Sequence, residues 1–261
     1  MNLDLNGFKA VITGGSSGLG LEMSKALASH GAAVAIAARA GEKLDKAYAA
    51  LAGEGYDVHA LAMDVRSESS VNAAAAWVGE NWGRLDMLVN NAGISLAAAG
   101  VDLREGPKPF YEIPPAAFYD IVETNFIGYF LVARAFVPIM LRQGSGRLVN
   151  VSTSIRTMTA KGQVPYGPSR AGAEAMVRII TDELKDSGIM VNVILPGGRT
   201  FTGLMPDYMR ILPKSPDTLD PDILNEVILF LASPKADGMY GERIIGNEFH
   251  KWLEDKGIDL G

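Results

Sequence analysis

Short apolar runs alternate with helically periodic segments along almost the whole chain, and this alternation limits the fold more than any other feature of the sequence. The runs Phe8 to Thr13, Ala32 to Ala38, Val58 to Met63, Leu85 to Asn90, Leu148 to Val151 and Ile189 to Leu195 read as strands, with Arg243 to Ile245 as a last edge strand. Between them, apolar spacing predicts helices over Gly18 to His30, Glu42 to Ala52, Glu68 to Trp82, Ala116 to Tyr129, Phe130 to Gln143, Pro168 to Ser187 and Asp222 to Ala232. Strands this uniformly apolar suit a parallel sheet covered on both faces. With 48% hydrophobic residues, the 261-residue chain can fill such a core, and no linker, repeat or low-complexity block interrupts it. The expected architecture is α/β: one domain over residues 1–261, a doubly wound parallel sheet with helices on both faces. Ala92 to Pro115 and Gly197 to Asp220 stand outside the alternation and read as irregular loops, the second as a mobile lid.

Composition removes several classes of function. A net charge of −6 argues against nucleic acid as a main partner. The absence of cysteine excludes disulfides, thiolate metal sites and Cys nucleophiles, and His30, His59 and His250 lack metal-ligand spacing. The longest apolar candidate, Phe126 to Leu141, is broken by Arg134 and Pro138, so no membrane span is expected. The opening MNLDLNG lacks the pattern of a signal peptide, and these features together fit a cytoplasmic protein.

Between the first strand and first helix stands Thr13-Gly14-Gly15-Ser16-Ser17-Gly18-Leu19-Gly20. A phosphate approaching a helix N-terminus needs backbone N–H groups unobstructed by side chains, and glycines there allow a tight turn and close approach. The spacing is G-x-x-x-G-x-G, which differs from the dinucleotide fingerprint G-x-G-x-x-G. The second strand ends Ala37-Ala38-Arg39, where an NAD site would carry an acid for the ribose 2′-hydroxyl. A guanidinium suits a 2′-phosphate instead, so the expected cofactor is NADP(H), with NAD(H) disfavoured.

With these residues placed, the chain resembles the short-chain dehydrogenase/reductase family. The landmarks are TGGSSGLG (13–20), DV (64–65), NNAG (90–93), Asn125 within ETNFIG, VNVSTS (149–154), YGPSR (166–170) and PGGRT (196–200), in the family's order. The resemblance implies a Rossmann fold. It also implies that Gly14, Ser16, Ser17, Gly18, Leu19 and Gly20 cradle the cofactor phosphates and that Asp64 and Val65 meet the adenine. Asn91, Ala92 and Gly93 would line the adenosine ribose. Pro196, Gly197 and Thr200 would border the nicotinamide. Asn125 would distort its helix and hold a water in a proton relay.

Hydride reduction of a carbonyl puts negative charge on oxygen, so one group must donate a proton and another polarise the C=O. A tyrosine can be the acid if about 3 pKa units, roughly 4 kcal/mol, of preference for phenolate are supplied. A cation at i+4 shares its helical face and supplies part of this. The family pair is Tyr-x-x-x-Lys, whose lysine also binds the nicotinamide ribose hydroxyls. Here it is Tyr166 and Arg170, so charge is kept and the resemblance implies that both residues meet the cofactor, Arg170 donating to the ribose hydroxyls in altered geometry. An active reductase with an adjusted relay is the favoured reading. The other is a cofactor-binding sensor or regulatory relative that has lost most of its catalysis. The family's catalytic serine lies thirteen positions before the tyrosine, a count that lands on Thr153, while Ser154 beside it has the expected side chain; Ser154 is slightly favoured.

Arg104, Lys108, Arg156, Lys161, Arg199, Arg210 and Lys214 suggest a polar or anionic small-molecule substrate, whereas Met158, Phe201, Met205, Tyr208 and Met209 could form an apolar wall. The family implies a homodimer or homotetramer. Ala171, Gly172, Ala173 and Ala175 would permit close helix contact between subunits or could equally face the sheet, and the terminal NEFHKWLEDKG could form an amphipathic helix reaching a neighbouring subunit.

Overall fold

The computed structural model describes residues 3–212 and 214–260. Its apolar runs form β1 (Lys9–Thr13), β2 (Ala33–Ala38), β3 (Val58–Ala62), β4 (Met87–Asn90), β5 (Gly146–Val151), β6 (Ile189–Leu195) and β7 (Arg243–Ile245). All pairings are parallel, in the order β3-β2-β1-β4-β5-β6-β7. The helices are α1 (Gly18–Ser29), α2 (Glu42–Gly53), α3 (Glu68–Asn81), α4 (Pro115–Val122), α5 (Gly128–Gln143), α6 (Ile155–Thr159), α7 (Tyr166–Leu184), α8 (Asp207–Arg210), α9 (Asn225–Ala232) and α10 (Phe249–Lys256).

Successive strand residues point to opposite faces, and both faces are buried. Ile12, Ile36 and Val89 join one cluster with Leu27 of α1 and Phe230 of α9. Their neighbours Val11, Ala35 and Leu88 join the other with Val78 of α3, Phe136 of α5 and Val177 of α7. Strand order reverses between β1 and β4, where Ile12 pairs with Val89. A cleft opens beyond the carboxyl ends of strands at such a switch point.

Four elements differ from the sequence reading, the first being the short helix α6, which no apolar run announces. The helices expected over 116–129 and 130–143 form one rod, Pro115–Gln143, joined by a π-helical turn at Glu123–Ile127. This rod is long and apolar enough to cross a membrane, but Val132, Phe136 and Met140 are buried in the core beside the sheet. The terminal helix α10 forms, and its apolar side is used within the chain. Phe249 and Leu253 are buried, and the Phe249 ring lies 5.6 Å from that of Phe230. The loop after β6 contains α8, and its base is closed by a bridge between Thr200 and Leu219.

Candidate active site

The β1–α1 turn is tied to the end of β4 by side-chain hydrogen bonds. The Thr13 hydroxyl donates to the Val89 carbonyl at 3.2 Å and accepts from the amides of Asn91 at 2.9 Å and Ala92 at 3.0 Å. Asn91 Nδ2 donates back to the Thr13 carbonyl at 2.9 Å. Gly14 has φ +67°, and a Cβ there would lie 2.9 Å from Asn91 Nδ2 and 3.0 Å from Ala92 Cα. At Gly20 a Cβ would overlap the Gly14 carbonyl oxygen. Ser17 caps α1 without a side-chain hydrogen bond, and the first turn carries no acid. The amides at this helix N-terminus therefore remain available to an anion.

Gly14, Ser16 and Ser17 form one wall of the cleft; Asp64, Val65, Ala92 and Gly93 form another. Arg39 and Lys43 are exposed at its rim, and neither has a hydrogen-bond or ion-pair partner among the described residues. Asp64 is already gripped by Arg66, whose Nε and Nη2 donate to its two oxygens at 3.2 and 3.0 Å. This grip holds the Asp64 carboxyl below the usual carboxylate range. Val65 is buried against Gly128, so much of its side chain is committed to the core.

Asn125 lies inside the π-helical turn and is completely buried. Its Oδ1 accepts from the Ile94 amide at 2.8 Å, and its Nδ2 donates to the Ile94 carbonyl at 3.0 Å. The helix distortion is thus present, and the side chain clamps the chain leaving NNAG. Across from it, α7 begins at Tyr166 and presents Arg170 one turn later. The tyrosine ring packs beside Leu96, Val101 and Ile121.

Arg170 is only 3% exposed. Its Nη1 donates to the Tyr129 hydroxyl at 2.6 Å and to the Val151 carbonyl at 3.2 Å. The guanidinium carbon lies 5.4 Å from the Tyr129 ring centroid and 5.5 Å from that of Tyr166. No carboxylate pairs with Arg170 among the described residues, and its buried Nε has no partner there. Burial works against the charge, but the phenolic groups of Tyr129 and Tyr166 outweigh it and raise the guanidinium's pKa. Gly93 leaves the space that Arg170 Nη2 occupies; any Cβ at this position would collide with it.

Thr153 and Ser154 differ in what their hydroxyls do. Ser154 caps α6: its Oγ accepts from the Thr157 amide at 3.1 Å and lies 2.9 Å from Thr157 Oγ1. The Thr153 carbonyl accepts from Arg243 Nη2 at 2.7 Å, while Arg243 Nε donates to Glu174 at 3.0 Å. Arg243 on β7 thereby ties Thr153 to α7.

Pro196 is fixed from the far side, its carbonyl accepting from the Asn247 amide at 3.1 Å; a Cβ on Gly197 would overlap Asn247 Oδ1. Thr200 Oγ1 donates to the Gly198 carbonyl at 3.3 Å. The segment that follows is strapped over the site. Ser95 Oγ donates to the Leu204 carbonyl at 2.8 Å, the Tyr208 hydroxyl donates to the Leu103 carbonyl at 3.1 Å, and Thr202 faces Gly18. Several cations expected near the substrate are paired: Arg104 with Asp102 at 2.6 Å, Lys108 with Glu105 at 4.0 Å and Lys214 with Asp220 at 2.6 Å. On α7, Ala173 is buried and Gly172 faces Phe126, leaving Ala171 and Ala175 exposed. Sequence reasoning missed Tyr129, Lys43, Arg66 and Arg243. A tyrosine within the apolar periodicity of α5 was the available signal for Tyr129, because a buried phenol needs a partner.

A seven-stranded parallel sheet with a glycine turn at its switch point is a Rossmann-type fold, with its cleft where such folds bind nucleotides. The chain belongs to the short chain dehydrogenase family, whose model matches residues 9–209. It is 34% identical over 252 residues to oxidoreductase UcpA of Salmonella typhimurium, covering 91% of this chain and 92% of that one. It is 31% identical over 243 residues to 3-oxoacyl-[acyl-carrier-protein] reductase FabG of Staphylococcus aureus, covering 90% and 94%. Among solved structures, a single-residue variant of actinorhodin polyketide ketoreductase with NADPH superposes with a TM-score of 0.79 at 28% identity, covering 93% of this chain and 97% of that one. Hydroxysteroid dehydrogenase from Escherichia coli superposes with a TM-score of 0.78 at 28% identity, covering 94% and 97%. The family binds NAD(P), and this chain is an oxidoreductase of the same type.

Proposed function

We propose that this protein transfers a hydride between NADP(H) and a secondary alcohol/ketone pair, with Tyr166 as general acid and base. The observation that carries this reading is the buried Arg170 guanidinium, which lies against the Tyr166 ring without a carboxylate partner among the described residues. An unpaired buried cation is costly unless a negative charge arises beside it. A phenolate at Tyr166 is such a charge. The reading of Arg170 as the mark of a catalytically weakened sensor is less well supported, because the cation remains at the tyrosine.

The cleft residues fit a dinucleotide. A Cβ would fill the glycine cradle, the α1 amides lack a side-chain cap, and Arg39 and Lys43 stand at the rim without partners among the described residues. When bound, the dinucleotide supplies the hydride or accepts it. The turn from Gly14 to Gly20 would hold its phosphates through backbone amides, with Arg39 and Lys43 at a 2′-phosphate. Tyr166 Oη would give its proton to the carbonyl oxygen, and Arg170 would stabilise the remaining phenolate. For the third group we favour Thr153, because the Ser154 hydroxyl is already used in capping α6. Thr153→Val is then expected to lower kcat by about 10–100-fold and Ser154→Ala by less than about threefold, as steady-state kinetics would show. The reverse ranking would assign the role to Ser154.

The relatives include ketoacyl and polyketide ketoreductases, and the cations at 104, 108 and 214 have carboxylate partners. We therefore favour a ketone with a substantial apolar part, set against Met158, Phe201, Met205, Tyr208 and Met209. Exposed Ile127, Phe130 and Ile179 support a homodimer or homotetramer. The test is NADPH oxidation over a panel of ketones, acyl ketones, keto acids and sugars. NADPH is expected to be preferred, and Arg39→Asp should shift the NADPH/NADH ratio of kcat/KM toward NADH by about 10–100-fold. An unchanged ratio would remove Arg39 from the 2′-phosphate site.

A further inference from the structure

We propose that Tyr129 is a positioning residue that makes an arginine workable at position 170. This rests on the catalytic reading of Tyr166. A lysine ammonium is a compact charge on a flexible stem, whereas a guanidinium is a planar fork whose usefulness depends on its orientation. Tyr129 fixes that orientation. Its hydroxyl accepts from Arg170 Nη1 at 2.6 Å and donates to the Val151 carbonyl at 3.0 Å. Its ring covers one side of the guanidinium at 5.4 Å, while Tyr166 lies at 5.5 Å.

Tyr129 itself is held at both ends of the residue: the Asn90 side chain donates to its carbonyl at 3.1 Å, and its phenol is completely buried. Burial raises its pKa, against the opposing pull of Arg170. With Nη1 occupied on the Tyr129 side and Nη2 directed into the space left by Gly93, the guanidinium lies against the segment that leaves β4. The titratable groups facing it are Tyr129 from α5 and Tyr166 from α7; among the described residues β4, β5 and the π-helical turn bring no carboxylate into hydrogen-bonding or ion-pair contact with it. Tyr129 and Arg170 form a unit in which each residue is useful only with the other.

The experiment is a double-mutant cycle of wild type, Tyr129→Phe, Arg170→Lys and the double variant, with Tyr166→Phe alongside. Phenylalanine keeps the ring and removes only the hydroxyl, and thermal melts check that every variant folds. In wild type, Tyr129→Phe should lower kcat at neutral pH by about 10–100-fold, the effect of losing a hydrogen bond to a charged group. It should also displace the kcat–pH profile for alcohol oxidation toward alkaline pH by about one unit. In the Arg170→Lys background the same change should cost less than about threefold, because the lysine lacks the guanidinium's fixed fork. NADPH Kd, measured by fluorescence without turnover, should show the same non-additivity.

Additive effects on NADPH Kd, or a wild-type kcat–pH profile in Tyr129→Phe while Tyr166→Phe is inactive, would overturn the positioning role. Wild-type kcat in Tyr166→Phe would instead overturn the catalytic reading on which the pH expectation rests. In that case the Kd cycle alone decides whether Tyr129 anchors Arg170.

Discussion

Tyr166→Phe should lower kcat for ketone reduction by about 10²–10⁴-fold, the usual worth of a positioned general acid, and leave folding and NADPH affinity nearly unchanged. The expectation follows from what the substitution keeps. The ring of Tyr166 packs beside the small cluster of Leu96, Val101, Ala117 and Ile121, and phenylalanine fills the same space. The guanidinium of Arg170, 5.5 Å from the ring centroid, retains its face contact and its bonds to Tyr129 and Val151. What disappears is the one oxygen at this position able to give a proton to the substrate. Loss in kcat, an unchanged melting temperature and an unchanged NADPH Kd would therefore place the defect in the chemical step. A variant within about threefold of wild-type kcat would show that another group supplies the proton.

The local parts of this protein are legible in its sequence, and the parts made by distant contacts are not. Strand β6 falls at the bounds that its apolar run suggests, because a parallel strand buried on both faces leaves little room for polar residues, and the short edge strand β7 also falls at its expected bounds. The glycine turn is equally visible, since the conformation of Gly14 is a local property. The rod from Pro115 to Gln143 reads as two helices because a π-helical turn shifts the apolar period without any breaking residue. Apolar periodicity can reveal an amphipathic α10 but cannot name its partner, which is Phe230 of the same chain. Likewise, YGPSR discloses the cation beside Tyr166, while the hydroxyl that orients it comes from Tyr129 on another helix. The choice between Thr153 and Ser154 turns on the N-cap of α6, a short helix too weakly patterned to be expected.

Gly14→Val should raise the Kd for NADPH by at least about 100-fold, through loss of amide contacts to the cofactor phosphates worth roughly 1.5–3 kcal/mol each. The turn admits no β-branched side chain here. Gly14 stands at φ +67°, and its Cβ would press on Asn91 Nδ2 at 2.9 Å and Ala92 Cα at 3.0 Å. Relief requires the turn to move away from β4, which breaks the bonds that join Thr13 to Asn91 and Ala92. Those bonds set the distance between the phosphate cradle and the segment that carries Gly93 beneath Arg170. Affinity and turnover should therefore fall together, at a stability cost of about 1–3 kcal/mol for the strained backbone. Gly7→Val supplies the control. Gly7 also has positive φ, +83°, but nothing lies within 4 Å of its Cβ position, and it precedes β1 at the opposite end of the strand. Its valine should lower the melting temperature through backbone strain alone and leave NADPH Kd unchanged. If both variants lose affinity in proportion to stability, the glycine turn is only a structural element. If Gly14→Val alone loses it, the turn is the phosphate site, and its coupling to β4 links cofactor binding to the Tyr166–Arg170 pair.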